Sequence, residues 1–297
     1  MSEQDVGLWS WKRGTNHNRI IDLQRQGPME VREGDVRFEF YGGSAFRITS
    51  PVGVQLFIDP WRNLPAGQEG QFFLHQLPEV ACDIGLSTHA HFDHDALHRL
   101  DAHMLLDRIV GEFRLADVRI WGIADKHVWD FSGCLFDFTT YLRDRGIEPA
   151  PPDNPRSFDN TLILIETGGL RILHWGDNRP DPPQAVWDAL GEIDVALLPV
   201  DGSRHVLTYE QAEAVIDRVN AKVCIPHHYF TRGLVRLAST LMPADDWVDR
   251  QPDAVRLESA TVALNPEQIR GLRGRVLHFG NHLAFDLPKP AGHGPRS

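Results

Sequence analysis

Apolar and polar positions begin to alternate at Asp35, where Val36, Phe38 and Phe40 are interleaved with Arg37 and Glu39. That period of two predicts a half-buried strand. Gly42-Gly43 turns the chain into a second strand over 45–49, and Pro51-Val52-Gly53 turns it into a third over 54–58, so an antiparallel meander is expected. Asp59-Pro60-Trp61 ends the meander, and the Pro-, Ala- and Gly-rich stretch behind it predicts a loop. Strand and helix patterns then alternate. A short buried strand over 84–87 is followed by a helix starting at Asp95 with Ala96, Leu97 and Leu100 apolar, and residues 118–123 read as another strand. Two apolar runs, 161–166 and 170–174, flank Thr167-Gly168-Gly169 and predict a hairpin. Asp181 with Pro182 predicts a helix start and Gly191 its end, after which 193–200 is a buried strand. Thr208-Tyr209-Glu210-Gln211 has the form of a capping box, leading a helix whose apolar face is Ala212, Val215, Ile216 and Val219. A strand over 223–226, a helical stretch over 234–241, short strands near Val255 and Thr261 and a last pair at 276–279 and 283–287 complete the pattern.

Two segments resist this reading. Residues 1–34 show no clean period, and with Trp9 and Trp11 as packing anchors they are expected to form an extension lying on a main domain over 35–290. Residues 128–159 combine the aromatics Trp129, Phe131, Phe136, Phe138 and Tyr141 with a proline cluster, which suits either a lid at the mouth of a site or a cover for the core. Neither an internal repeat nor a break in composition asks for a second domain. Strands first, then alternating strands and helices, predict a layered α/β fold.

Composition narrows the function. At 297 residues, 42% hydrophobic and 24% charged, the chain is an ordinary globular one. A formal net charge of -11 lacks the basic footprint of a general nucleic-acid or anionic-membrane binder, so neither partner is expected. Cys82, Cys134 and Cys224 are odd in number and widely spaced, which predicts free thiols rather than a disulfide framework. The first residues contain no apolar signal-like run, and no stretch approaches the roughly 18 apolar residues of a membrane span, so a cytoplasmic protein is expected. Homo-oligomerisation stays open.

The chemistry concentrates in residues 87–97, Ser-Thr-His-Ala-His-Phe-Asp-His-Asp-Ala-Leu. In an extended segment residues two apart share a side, so His89 and His91 can close on one metal ion while Asp93 and His94 reach a second. His89-Ala90-His91-Phe92-Asp93-His94, preceded by a short apolar strand ending in Ser-Thr, resembles the H-x-H-x-D-H signature of the metallo-β-lactamase-fold hydrolases. The resemblance runs over about 35–285 and includes Phe40-Tyr41-Gly42-Gly43-Ser44, Ile58-Asp59-Pro60 and Leu198-Pro199-Val200-Asp201-Gly202. It is nearest to the branch that contains ascorbate-6-phosphate lactonase.

This resemblance implies an αββα sandwich of two mixed sheets flanked by helices, two divalent ions (zinc first, manganese or iron as alternatives) and three further ligands. Asp177, at the Gly-Asp corner that ends the run 170–174, matches the family's bridging aspartate, and a carboxylate's two oxygens suit a bridge. Near the end, His227 and His228 are equal candidates by sequence, and the family's Ile-Pro-x-His-Tyr register selects His228, leaving His227 as a neighbour. His127 occupies the place of the lone histidine; His98 and His103 come too early, and His174 suits a core or supporting role. Asp93 has two roles open, ligand or acceptor orienting the nucleophile, and Asp59 is expected to hold a ligand imidazole by its free N–H. The implied reaction is attack of a metal-bridging hydroxide on a small-molecule lactone or ester, with a phosphodiesterase as the alternative and a degenerate metal-binding scaffold as the non-enzymatic one. Arg179, Tyr229 and Arg232 are the candidate substrate-binding residues. Gly43-Ser44 where the branch usually has Gly-His, and Asp201 where Gly is common, are departures that bear on the substrate.

Overall fold

A computed structural model describes residues 21, 23, 33–63, 71–149 and 158–287. The meander forms as its alternation requires: β1 (Val36–Phe40), β2 (Phe46–Thr49) and β3 (Gln55–Ile58) pair antiparallel in sequence order. β4 (Val80–Ser87) and β5 (Leu100–Asp107) continue this sheet in parallel, and β13 (Thr261–Leu264) closes its other edge against β1, giving six strands. The second sheet has eight strands in the order β12-β14-β11-β10-β9-β8-β7-β6. Its members are β6 (Gly111–Leu115), β7 (Val118–Asp125), β8 (Asn160–Thr167), β9 (Leu170–His174), β10 (Val195–Pro199), β11 (Val223–His227), β12 (Val255–Arg256) and β14 (Arg275–His278). From β6 to β9 the pairing is antiparallel, and from β9 onward it is parallel. Both sheets are therefore mixed.

Strands β10 and β11 are buried at every position, which is why they read as continuous apolar runs rather than alternations. Phe40 stacks on Phe279 at 5.5 Å and meets Phe46 at 5.2 Å, joining residues of the first sheet to the end of β14. The helices are few and short among the described residues: α1 (Phe138–Arg143), α2 (Gln184–Leu190), α3 (Tyr209–Arg218) and α4 (Asp245–Val248). α3 carries the capping box read from the sequence, with Thr208 and Gln211 satisfying each other's backbone N–H.

Four local expectations are corrected. No α-helix starts at Asp95; a single 3₁₀ turn over Leu97–Arg99 leads straight into β5, whose side chains alternate in exposure. Leu97, Leu100 and Leu105 cover Gly85 of β4, and this tertiary contact overrides a helical spacing that was only one turn long. α2 begins at Gln184, with Pro183 extended at ψ 155 as its N-cap, because Pro183 disfavours the helical region at Pro182, the residue before it. Residues 234–241 form turns, with Leu234 bridged to Phe73, and 283–287 adds no strand, only a bond from Ala284 N to Phe40 O. The extension over 1–34 lies almost wholly outside the described residues; Leu23 is buried in the core and Gly34 N donates to Gly168 O. All three cysteines are free. No helix among the described residues is long and apolar enough to cross a membrane.

Candidate metal centre

Each candidate ligand is set by the element that ends just before it. β4 stops at Ser87, and the amides of His94 and Asp95 both donate to His91 O, coiling the chain so that His89, His91, Asp93 and His94 converge. Asp59, at the end of neighbouring β3 and in the left-handed region at φ 51, anchors that coil. Its Oδ1 accepts from Thr88 N at 2.7 Å, and its Oδ2 accepts from Thr88 Oγ1 and His94 Nδ1, both at 2.8 Å. Thr88 having spent its proton on Asp59, its oxygen accepts from His89 Nδ1 at 3.1 Å. Nε2 of both His89 and His94 is thus left as a lone pair facing the cluster.

Asp177 follows β9 through Gly176, whose φ is 57 and whose Cβ, if it had one, would stand 2.7 Å from Thr88 Oγ1 and 2.8 Å from Asn160 Oδ1. His127 lies beside it because residues 126–128 pair with 177–179: Val128 N donates to Asp177 O, Arg179 N donates to Lys126 O, and His127 bridges Asn178. His127 Nδ1 donates to Val128 O, so its Nε2 is also a free lone pair. His228 comes directly after β11 in the left-handed region at φ 56, held by its N–H to Gly43 O at 2.8 Å. Non-glycine residues rarely hold this conformation, and here both His228 and Asp59 do so at the centre.

The seven candidates form two groups, His89, His91, His127 and Asp177, and Asp93, His94 and His228, each with ligand atoms within 4.8 Å of one another. Asp177 Oδ2 has Nε2 of His89, His94, His127 and His228 at 3.9, 3.5, 3.6 and 3.5 Å. Those separations are long for hydrogen bonds. Two donors each bound about 2.1 Å from one ion at a tetrahedral angle would stand about 3.4 Å apart, which fits. His89 Nε2 faces His91 Nδ1 at 3.1 Å, and His94 Nε2, His127 Nε2 and Asp177 Oδ1 are buried without any hydrogen-bond partner. Buried polar atoms are normally satisfied, so a group of orphans aimed at common points fits cations.

The electrostatics agree. Burial alone would raise the carboxyls of Asp93 and Asp177, but the imidazoles beside them, His94 and His228, outweigh it and hold both below the usual carboxylate range. Burial would lower His94 and His228, yet Asp177 and Asp93 outweigh it and raise both. His89 and His91 are lowered, by burial first and by neighbouring imidazoles second. The ionised carboxylates thus draw positive charge onto His94 and His228, charge that divalent cations would supply in place of those protons.

A cavity of about 480 Å³ opens above these residues. His91, Asp93, His127, Asp177 and His228 line it together with Phe72, Phe92, Phe131, Phe138, Leu142, His205, Ala238, Thr240 and Leu241. None of the three residues expected to bind substrate is in this wall. Arg179 is committed to Asp125, with its Nη2 2.7 Å from Oδ1. Tyr229 is 1% exposed, packs on Phe40 and His278, and donates to Gly280 O. Arg232 is exposed and tied by its backbone N–H to Asn281. Nothing about a lone arginine or tyrosine near a motif shows which way it points. His174 is buried as expected, donating to Ser44 O and accepting from Gly176 N, and it stacks on His227, whose Nδ1 meets Ser44 Oγ at 3.0 Å. Ser44, a departure from the lactonase pattern, thus holds both supporting imidazoles. Asp201, the other departure, accepts from the N–H groups of Ser203, His205 and Met242 and so shapes the loop that carries His205 to the cavity. His205 escaped the sequence reading because it belongs to no motif.

A model of the beta-lactamase superfamily domain matches residues 37–228. The chain belongs to that superfamily. A UPF0173 metal-dependent hydrolase of Thermodesulfovibrio yellowstonii is 28% identical over 219 residues, 67% of this chain and 80% of the relative. Another, from Myxococcus xanthus, is 28% identical over 221 residues, 71% of this chain and 76% of that one. Among solved structures, a chain from Thermotoga maritima designated a Zn-dependent hydrolase of the metallo-beta-lactamase superfamily aligns with a TM-score of 0.56 at 22% identity, covering 82% of this chain and 98% of its own. CmlA, a diiron beta-hydroxylase from Streptomyces venezuelae, also aligns, with a TM-score of 0.50 at 15% identity over 84% of this chain and 53% of its own. Fold likeness alone therefore does not name the reaction, and the side chains must.

Proposed function

We propose that this metal-dependent hydrolase of the metallo-beta-lactamase superfamily holds two divalent ions, one at His89, His91 and His127 and one at Asp93, His94 and His228, with Asp177 shared, and cleaves a small-molecule lactone or ester. The observation that carries the reading is the ring of imidazole nitrogens at 3.5 to 3.9 Å around Asp177 Oδ2, on the floor of a cavity large enough for a small substrate. Zinc suits the mixed imidazole and carboxylate donors, and manganese and iron accept the same set. When bound, such ions polarise a carbonyl oxygen and bring the pKa of a coordinated water towards neutrality. The chain's own residues do the rest. Asp59 and Thr88 fix the tautomers of His94 and His89, Val128 O fixes that of His127, and Asp93, beside the cavity, has an oxygen able to accept a proton from the attacking water. The alternative is a phosphodiesterase, since the same centre could attack phosphorus; of the two arginines able to hold a phosphate or carboxylate, Arg179 is instead paired with Asp125.

The test is elemental analysis joined to a hydrolysis screen over lactones, esters and phosphodiesters, before and after chelation. Chelation is expected to abolish lactone or ester hydrolysis while circular dichroism stays near native, because the fold rests on apolar burial between two large sheets. Turnover of none of these classes by the metal-loaded protein would overturn the reading. A pH prediction accompanies it. His94 and His228 have raised pKa values, so without metal they carry protons at pH values where a free imidazole is already neutral. An incoming cation must displace those protons, so affinity should rise with pH through this raised range. Calorimetric titration in buffers of different ionisation enthalpy should register proton release on binding; a heat independent of buffer would contradict it.

A further inference from the structure

The walls of the cavity have a chemistry of their own. Phe72 and Phe92 meet edge to face at 5.2 Å, and Phe131 and Phe138 do so at 5.4 Å. The second pair is built in rather than loosely draped. Phe131 N donates to Thr139 Oγ1, which itself donates to Trp129 O; Asp137 caps α1 through Thr140 N; and Leu135 N donates to Ser203 O on the loop that carries His205. The ring of His205 packs against both Phe131 and Phe138, at 5.6 and 5.5 Å.

Lysine and arginine side chains are missing from the described part of this wall. Arginines next to lining residues in sequence are engaged elsewhere, Arg143 with Glu148. Arg204 lies over the Tyr209 ring at 5.2 Å, and Arg236 lies over Phe230 at 4.9 Å while donating to Leu241 O. A carboxylate or phosphate on the part of a substrate remote from the ions would exchange its hydration here for no cationic side chain, only the neutral donors of His205 and Thr240, in a chain whose net charge of -11 already repels it. A flat apolar group, by contrast, would find aromatic faces and edges on more than one side.

We infer that the cavity selects a neutral substrate bearing an aromatic ring, or an apolar group of that size, beside the bond to be cleaved, and that Phe131 and Phe138 are the residues that read it. This rests on the hydrolase reading only for the bond. The selection itself can be measured without turnover, on the full metal-loaded chain, by calorimetric binding of ketones that keep a lactone's ring and carbonyl but offer nothing to hydrolyse: cyclopentanone, 3-phenylcyclopentanone and 3-(4-carboxyphenyl)cyclopentanone. The phenyl ketone is expected to bind about tenfold or more tightly than cyclopentanone, with a negative heat-capacity change, and the carboxyphenyl ketone to lose about tenfold relative to it. Phe138→Leu should erase most of the phenyl gain with metal content and circular dichroism unchanged, and Phe131→Leu serves as the second variant if Phe138→Leu folds poorly. Equal affinity for phenyl and parent ketones, tighter binding of the carboxylate, or an unaltered phenyl preference in both variants would overturn the inference. Absence of hydrolysis with the binding order intact would instead count against the lactone and ester reading alone.

Discussion

Asp177→Ala is expected to lower hydrolysis about a thousandfold or more and to reduce bound metal well below the wild-type stoichiometry, the largest effect of any single substitution at this centre. Its Oδ2 is the point about which Nε2 of His89, His94, His127 and His228 gather, two of these nitrogens coming from each candidate group. Removing it leaves buried imidazoles facing one another with Asp93 and Asp59 as their remaining carboxylate neighbours, and His94 and His228 lose their leading electrostatic support. Asp177→Asn separates charge from shape, because the amide keeps the size but offers a single weak ligand oxygen. Elemental analysis with turnover measurements checks both variants, and two ions retained with undiminished activity in the alanine variant would remove Asp177 from the shared position. The fold should survive, since the residue lies outside the strands that make the core.

Gly176→Ala is expected to follow closely, and through geometry rather than ligation. A β-carbon here has both a left-handed backbone and no room: φ is 57, and Thr88 Oγ1, Thr88 Cβ and Asn160 Oδ1 all stand within 2.7 to 2.8 Å of it. The backbone conformation alone costs about 1–2 kcal/mol, and pushing Thr88 aside disturbs the bonds that orient His89 and anchor Asp59. Because Asp177 is the next residue, a shift of about 1 Å would be enough to lower turnover about a hundredfold. Urea unfolding should show a lower midpoint at unchanged slope, together with weaker metal binding. Gly271→Ala is the control: it shares a positive φ of 76 but meets nothing within 4 Å, so only the conformational cost should appear. If the two substitutions behaved alike, crowding at Gly176 would not matter.

Much of this centre was legible in the chain because its parts are local. His89, His91, Asp93 and His94 lie within six residues, and a strand followed by one tight coil is enough to bring them together. Gly176-Asp177 announced itself in a similar way, by a glycine at the end of an apolar run. The capping box of α3 and the β8–β9 hairpin are likewise set by residues that touch near neighbours in sequence. What the local pattern misread was short or two-sided. Leu97 and Leu100 fit a helix until Gly85 of a neighbouring strand offers them a flat surface, and residues 234–241 lose their expected helix as Leu234 pairs with Phe73.

The sequence by itself determined the meander, the β8–β9 hairpin and the buried runs of β10 and β11, the strand-end positions of the metal candidates and the likeness to a metal-dependent family, because period, turn chemistry and short-range spacing are properties of neighbouring residues; β5 and β6 escaped it. Only the tertiary structure decided the surroundings. It tied Arg179 to Asp125, buried Tyr229 against Phe40 and left Arg232 at the surface, so none of them lines the cavity. It also brought His205 and four phenylalanines, scattered from Phe72 to Phe138, into one wall. A side chain's direction and its distant neighbours depend on how two sheets pack, and no window along the chain contains that information.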